Sequence, residues 1–347
     1  MDNSMYVNIW DYIDDDYPFQ IFIGGRGTGK TYSALKGAIE RGGRFVFMRR
    51  TAQELELLMD SATKGEGLNP FKPHNKNMCW NIGIKQMRKN IGAVYHRVED
   101  DGKYIYEGAP LGYALALSTI AGMRGIDISD CDDIIYDEFI PEKHVKRISG
   151  EADALNNAYE TISRNRELEG RPPARLWLLA NSNDIYNQIF VGWGIVNEVE
   201  KMIKKGKSDR YIKERGLAIH ILPDTGAYTE AKSKTSLHRL TRGTSFESMA
   251  LHNEFAYNDF SLIGRRDLTG YRPLCALDDA YIYRKKGSGE YYVCYAPAKV
   301  PRFDAKTEQD RRRFMQVYGI NLLPRFIKGN IIFESYELKS KILDVII

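Results

Sequence analysis

Residues 24–31 read Gly-Gly-Arg-Gly-Thr-Gly-Lys-Thr and fit the pattern Gly-x-x-x-x-Gly-Lys-Ser/Thr without a mismatch. No other stretch restricts the fold as tightly. Successive backbone N–H groups turn toward one centre only where glycines relax the backbone, and a helix must follow so that its dipole and unpaired N–H groups face the same point. The flanks meet both conditions. Phe19-Gln20-Ile21-Phe22-Ile23 is a short apolar run with β-branched and aromatic residues, which predicts a buried strand. Residues 30–40 are helix formers with apolar positions at helical spacing, and Gly42-Gly43 stops them. Arg44-Phe45-Val46-Phe47-Met48 is a second buried strand, so residues 19–48 form a βαβ unit with parallel strands and a right-handed crossover. In such a loop Gly24, Gly25, Arg26, Gly27, Thr28 and Gly29 cradle phosphate oxygens, Lys30 reaches the β- and γ-phosphates, and Thr31 offers its hydroxyl to magnesium. The expected ligands are ATP and Mg2+.

The matching half of such a site is an apolar strand that ends in an acid. Asp133-Ile134-Ile135-Tyr136 leads into Asp137-Glu138. Asp137 is placed to complete the metal shell, and Glu138 to orient and deprotonate a water, which favours hydrolysis over transfer to a small molecule. The same two acids would also serve as a plain cap on a following element. Ala152 to about Asn165 is helical in pattern and is followed by Arg164-Asn165-Arg166-Glu167. Either arginine can supply positive charge at a γ-phosphate, or simply cap the helix dipole, and Arg26 inside the loop competes in cis. Residues 175–180 predict another buried strand with Asn181 at its tip, where an amide can hydrogen-bond a γ-phosphate or the attacking water, or merely form a turn.

At 347 residues the chain exceeds what one core usually holds, which predicts two domains. The expected division is an α/β P-loop domain of the ASCE, RecA-like type with a mainly parallel sheet over 1–200, a basic linker over 201–225, and a smaller α+β domain over 226–347. The linker expectation rests on Lys201, Lys204, Lys205, Lys207, Arg210, Lys213 and Arg215, which could track a phosphate backbone with Tyr211 packing on sugar or base, or form a solvated face. Arg311-Arg312-Arg313 has the same two readings. Short β-like runs between Cys79 and Thr119 predict an inserted or edge hairpin, and further strands or helices are expected over 246–257, 280–283 and 291–295. Lys and Arg number 50 against 46 Asp and Glu, a net charge of +4 that permits a polyanion partner without requiring one. Cys79, Cys131, Cys275 and Cys294 have no metal-ligand spacing and read as buried apolar side chains. The acidic N-terminus and the lack of any long apolar run predict a cytoplasmic protein without a membrane partner.

Residues 19–31, Arg44 to Arg50, Asp137-Glu138-Phe139-Ile140, Arg164-Asn165-Arg166-Glu167 and Leu179-Ala180-Asn181 together resemble the DNA-packaging ATPases of the small tailed phages of the phi 29 type, over about the first 200 residues. A weaker echo follows at residues 243–247. The resemblance implies that Lys30 and Thr31 bind ATP and magnesium, Asp137 completes the metal shell, Glu138 is the catalytic base, Arg164 is the arginine finger reaching a neighbouring subunit, and Asn181 is a sensor. It also implies a homo-oligomeric ring, pentameric in the family, that docks on the portal of an empty capsid in the host cytoplasm and translocates double-stranded DNA. Some members use a packaging RNA. The family's C-terminal domain is similar to an RNase H-like nuclease that has lost its metal-binding acids, and Asp278, Asp279 and Glu334 show no convincing three-carboxylate pattern, so cleavage is not expected. Another nucleic-acid-directed ring ATPase, of helicase-like or partition type, and a nucleotide-gated oligomeric binding protein are the rival readings.

Overall fold

A computed structural model describes residues 6–60, 67–101, 103–122, 127–142, 145, 148, 150–244, 247 and 260–347. It divides into two compact units, Met1–Trp193 with Met202–Tyr257, and Gly194–Lys201 with Asn258–Ile347.

The first unit is built on a nine-stranded sheet. The strands are β1 (Phe19–Gly24), β2 (Arg44–Arg49), β3 (Ile82–Arg88), β4 (Ile91–Asp100), β5 (Lys103–Ala116), β6 (Cys131–Asp137), β7 (Arg175–Asn181), β8 (Asp209–Ile212) and β9 (Leu217–Ile221), in the order β3-β4-β5-β2-β6-β7-β1-β9-β8. From β5 to β9 every neighbouring pair is parallel. The β3-β4-β5 meander and the β8-β9 pair close the two edges antiparallel. The central strands are buried along nearly their whole length because both faces are covered, which is why they read as continuous apolar runs and not as alternating ones. One face packs Phe22, Phe45, Phe47, Ile135, Trp177 and Leu179 against Ala34, Leu35 and Ala38 of α1 (Lys30–Glu40). After β2 a capping box between Thr51 and Glu54 starts the short helix α2 (Ala52–Glu56). Residues 72–78 form α3 (Lys72–Met78). The helix α4 (Glu151–Ser163) lies between β6 and β7 in the chain, and its Tyr159 ring meets Phe19 at 5.0 Å. α5 (Gln188–Gly192) follows β7.

The expected linker over 201–225 is not a linker. Residues 209–221 supply β8 and β9, and β9 pairs in parallel with β1 from Phe19↔Leu217 to Ile23↔Ile221. The reason is visible in Leu217-Ala218-Ile219-His220-Ile221, an apolar strand masked in the sequence by the lysines before it. Tyr211 sits in β8 with its ring 5.2 Å from that of Tyr17. The helix α6 (Val196–Lys204) begins in the second unit, where Asn197 donates to Glu337 at 3.3 Å and Glu200 accepts from the Tyr336 amide at 3.2 Å. Two further helices, α7 (Gly226–Ser233) and α8 (Ser236–Leu240), follow β9 within the first unit.

The second unit carries a five-stranded sheet, β13-β10-β11-β12-β14, from β10 (Tyr271–Leu277), β11 (Ala280–Lys285), β12 (Tyr291–Cys294), β13 (Arg302–Phe303) and β14 (Ile331–Phe333). β11 and β12, over the expected runs 280–283 and 291–295, pair antiparallel as a hairpin. Cys275, Leu277, Ile282, Val293 and Phe333 on one face pack with Phe314, Leu322, Leu338 and Ile342 from the helices Glu308–Phe314, Ile320–Ile327 and Tyr336–Ile346. Arg312 and Arg313 pair with acids of their own helix, the bland alternative for that basic run. Apart from Glu247, the expected element over 246–257 lies outside the described residues, as do Ser245 and Phe246 of the echo at 243–247. Cys131, Cys275 and Cys294 are buried, but Cys79 is exposed, because it ends α3 in a left-handed turn. No helix among the described residues is long and apolar enough to cross a membrane.

Candidate active site

Parallel strands deliver their C-terminal ends to one edge of the sheet, where an open α/β fold places its ligands. In register, Gly24 of β1 stands beside Asn181 of β7, and Asp137 of β6 beside Leu179 of β7. Two segments each more than a hundred residues beyond the loop thus meet it at a single point. The loop from Gly24 to Thr31 turns there with Gly27 and Gly29 at φ of 78° and 99°, left-handed values that favour glycine. Gly29 is also the N-cap of α1 and offers no side-chain oxygen, so no capping side chain competes for the helix's first N–H groups. A cavity of about 860 Å3 opens over the loop, with Tyr6, Trp10, Arg41, Asp137, Glu138 and Asn181 among its lining.

Lys30 is buried at the centre. Its ammonium donates to the Gly24 and Gly25 carbonyls at 3.0 and 2.7 Å and to Asn181 Oδ1 at 3.3 Å. Burial lowers its pKa from 10.5 to about 8, against the opposing pull of Asp137 and Glu138 and with a further push down from Lys232. Thr31 donates its hydroxyl to Asp137 Oδ1 at 2.9 Å. Burial raises the Asp137 carboxyl pKa, offset in part by Arg49. A hydroxyl and a carboxylate oxygen this close are hard donors of the kind that share one magnesium ion, so the residues present fit that ion.

Sequence reasoning missed Arg49. At the end of β2, beside β6, its guanidinium donates to Asp137 Oδ2 at 3.0 Å and grips Glu138 with its other nitrogen. A cation at the C-terminal end of a strand next to the acid strand is the signal that could have found it. Glu138 itself has a φ of 55°, a conformation a non-glycine residue adopts at a cost. Arg50, the next residue, points into the protein and binds Glu151 of α4 through two nitrogens at 2.8 and 3.1 Å, while Tyr136 donates to the same carboxylate at 2.7 Å.

The two arginines after α4 have different fates. Arg166 is buried and donates to the Cys131 carbonyl at 2.7 Å and to Asp132 at 2.6 Å. Arg164 sits at φ 47°, with 42% of its side chain exposed and Asp127 at 3.5 Å, and it does not join the cluster around Lys30 in its own chain. Arg26 points outward to Glu142 at 3.1 Å. Of the predicted residues, Lys30, Thr31, Asp137, Glu138 and Asn181 are therefore brought together with the glycines of the loop, and Arg164 is not.

The sequence profile of the family described as Podovirus DNA encapsidation protein (Gp16) matches residues 84–270, more than half of the chain. The chain is 28% identical to the DNA packaging protein of Bacillus phage B103 over 249 residues, 70% of this chain and 66% of that one. It is 27% identical to the DNA packaging protein of Bacillus phage phi29 over 271 residues, 77% of this chain and 70% of that one. It thus spans about two thirds of the length of these curated relatives. Its backbone is similar to a chain of the bacteriophage Phi-29 viral genome packaging motor assembly, with a TM-score of 0.63 and 19% identity over 99% of this chain and 100% of that one, a likeness of fold.

Proposed function

The chain belongs to the podovirus DNA encapsidation protein (Gp16) family, and on that premise we propose that it is an ATP-hydrolysing motor subunit that drives double-stranded DNA into a preformed capsid. The observation that carries the chemistry is the convergence of Lys30, Thr31, Asp137, Glu138 and Asn181 at one sheet edge. β7 lies between the loop strand β1 and the acid strand β6, which supports the ASCE type.

The loop N–H groups and Lys30 bind the β- and γ-phosphates, and phosphate oxygens replace the Gly24 and Gly25 carbonyls as partners of the ammonium. Thr31 and Asp137 would hold magnesium, which would supply positive charge against the developing charge of the phosphates. Asn181 orients the γ-phosphate or the water. Glu138 takes a proton from that water as its oxygen bonds to the γ-phosphorus and the bond to the β-phosphate oxygen breaks, releasing ADP and phosphate. In the observed arrangement Arg49 occupies the Glu138 carboxylate, so the base becomes available when Arg49 exchanges that partner for phosphate. Arg164, part exposed and outside the lining of its own chain's cavity, serves as the finger for a neighbouring subunit, whereas Arg166 is committed to its own fold. A trans finger requires a ring of copies, pentameric on the family resemblance, with the capsid portal as its seat and a packaging RNA as a further partner in some members.

The second unit is proposed to be the family's vestigial nuclease-like domain. The three acids named above are each committed elsewhere: Asp278 and Asp279 form the two-residue β10-β11 turn, where Asp278 accepts from the Ala305 amide and Asp279 pairs with Lys341, and Glu334 accepts from the Tyr295 amide. The test is steady-state ATP hydrolysis with and without double-stranded DNA, for the wild type, Arg164→Ala, Glu138→Gln, and an equimolar mixture of the two variants. DNA stimulation, two dead variants and recovered activity in the mixture are expected. Normal hydrolysis by Arg164→Ala with no effect of DNA or mixing would leave an ATPase but remove the ring motor.

A further inference from the structure

We propose that Lys232 is a second lysine ligand of the nucleotide's phosphates, delivered in cis by α7; the inference rests on the reading of residues 24–31 as an ATP site. α7 has no buried residue of its own, so no apolar core holds it in place. What ties it to the loop is polar. Tyr228 donates to the Arg26 carbonyl at 2.8 Å, and the Lys232 ammonium reaches the same carbonyl oxygen. The two side chains also touch each other, with the Lys232 nitrogen 4.8 Å from the centre of the Tyr228 ring. A methyl group at Gly27 would stand 2.5 Å from the Tyr228 hydroxyl and 3.6 Å from the Lys232 nitrogen, which places both directly over the tip of the loop.

The charges make this placement informative. Lys30 and Lys232 feel each other across the loop, and Arg26 adds a third cation that acts on Lys232. Among the described residues no carboxylate lies within ion-pair distance of Lys232, although acids serve Lys30 and Arg26. A half-buried ammonium brought toward two other cations with no acid of its own is unfavourable for the protein alone and favourable with a polyanion between them. Arg26 and Gly27 both line the cavity, so a rotation of the Lys232 side chain away from the Arg26 carbonyl brings its ammonium onto a phosphate seated on the loop N–H groups. Weak local attachment is what such a closing segment needs, because it must open to admit and release nucleotide.

The experiment is ATP affinity of the full chain, measured by equilibrium dialysis with magnesium, for the wild type, Lys232→Met, Lys232→Gln and Lys232→Arg, with circular dichroism as the check on folding. Lys232→Met and Lys232→Gln are expected to weaken ATP binding roughly 10- to 100-fold, the equivalent of one charge-assisted hydrogen bond, with Lys232→Arg close to wild type. Affinity within twofold of wild type for Lys232→Met overturns the proposal. So does wild-type affinity in Lys232→Gln alone, because an amide can keep the bond to the Arg26 carbonyl but not the charge. A wild-type chain that binds no ATP would instead overturn the nucleotide site itself, and the inference with it.

Discussion

Arg50, Glu151 and Tyr136 form a buried network whose removal should be felt far beyond one hydrogen bond. Arg50 and Glu151 are each 1% exposed, with two nitrogens on two oxygens, and the Tyr136 hydroxyl completes the carboxylate's shell. Glu151→Ala leaves a guanidinium in the interior with no counter-charge, and Arg50→Met leaves a carboxylate with only a phenol. Each is expected to cost about 3–5 kcal/mol. For a unit of this size that corresponds to a melting temperature lower by roughly 6–20 °C. The triple variant Arg50→Met, Glu151→Leu, Tyr136→Phe removes both charges and the orphaned hydroxyl, and should cost far less than the sum of the charge deletions. Urea denaturation followed by tryptophan fluorescence reads this directly, because all four tryptophans, Trp10, Trp80, Trp177 and Trp193, lie in the first unit. Single costs under about 1 kcal/mol that simply add would mean the pair behaves as a solvated one, and would refute the reasoning. The network joins the strand residue before Asp137 to the first residue of α4, the helix that ends at Arg164.

Arg164→Ala and Arg166→Ala should separate cleanly: the first is expected to leave stability within about 0.5 kcal/mol and abolish DNA-stimulated hydrolysis, while the second loses roughly 2–3 kcal/mol in denaturant melts. Gly37→Ala, which in an exposed helix would stabilise, is expected to destabilise, because the new methyl would overlap the Trp10 ring at 1.7 Å; a red-shifted tryptophan emission would accompany it. Because burial lowers the Lys30 pKa to about 8 in the folded chain from an ordinary lysine value of 10.5, the unfolded chain binds more protons between these values, so this group's contribution to stability rises with pH from about 8 to 10.5. Phosphate favours the charged form, so ATP binding near pH 8.5 should take up a proton, seen as a calorimetric binding enthalpy that changes with the ionisation enthalpy of the buffer. An enthalpy independent of buffer would count against the assignment.

The loop, its flanking strand and helix, and the acid pair were legible in the sequence because each is specified by residues adjacent in the chain: glycines at fixed spacing, an apolar run, an acid at its end. That Lys30, Thr31, Asp137 and Asn181 touch followed from the general rule that parallel strands share one functional edge. Where long-range pairing decided, local pattern was silent or misleading. The lysines of 201–207 marked a linker, yet the sheet gains burial by taking Leu217–Ile221 alongside β1. One helical step left Arg164 and Arg166 interchangeable until the Cys131 carbonyl and Asp132 claimed Arg166 for the interior. Arg49 gripping the two acids, and Lys232 lying over a loop more than two hundred residues earlier, depend on the order of strands and on where a helix comes to rest. Sequence spacing carries local conformation and its chemistry; which distant charge faces that chemistry is set only when the chain's apolar surfaces choose their partners.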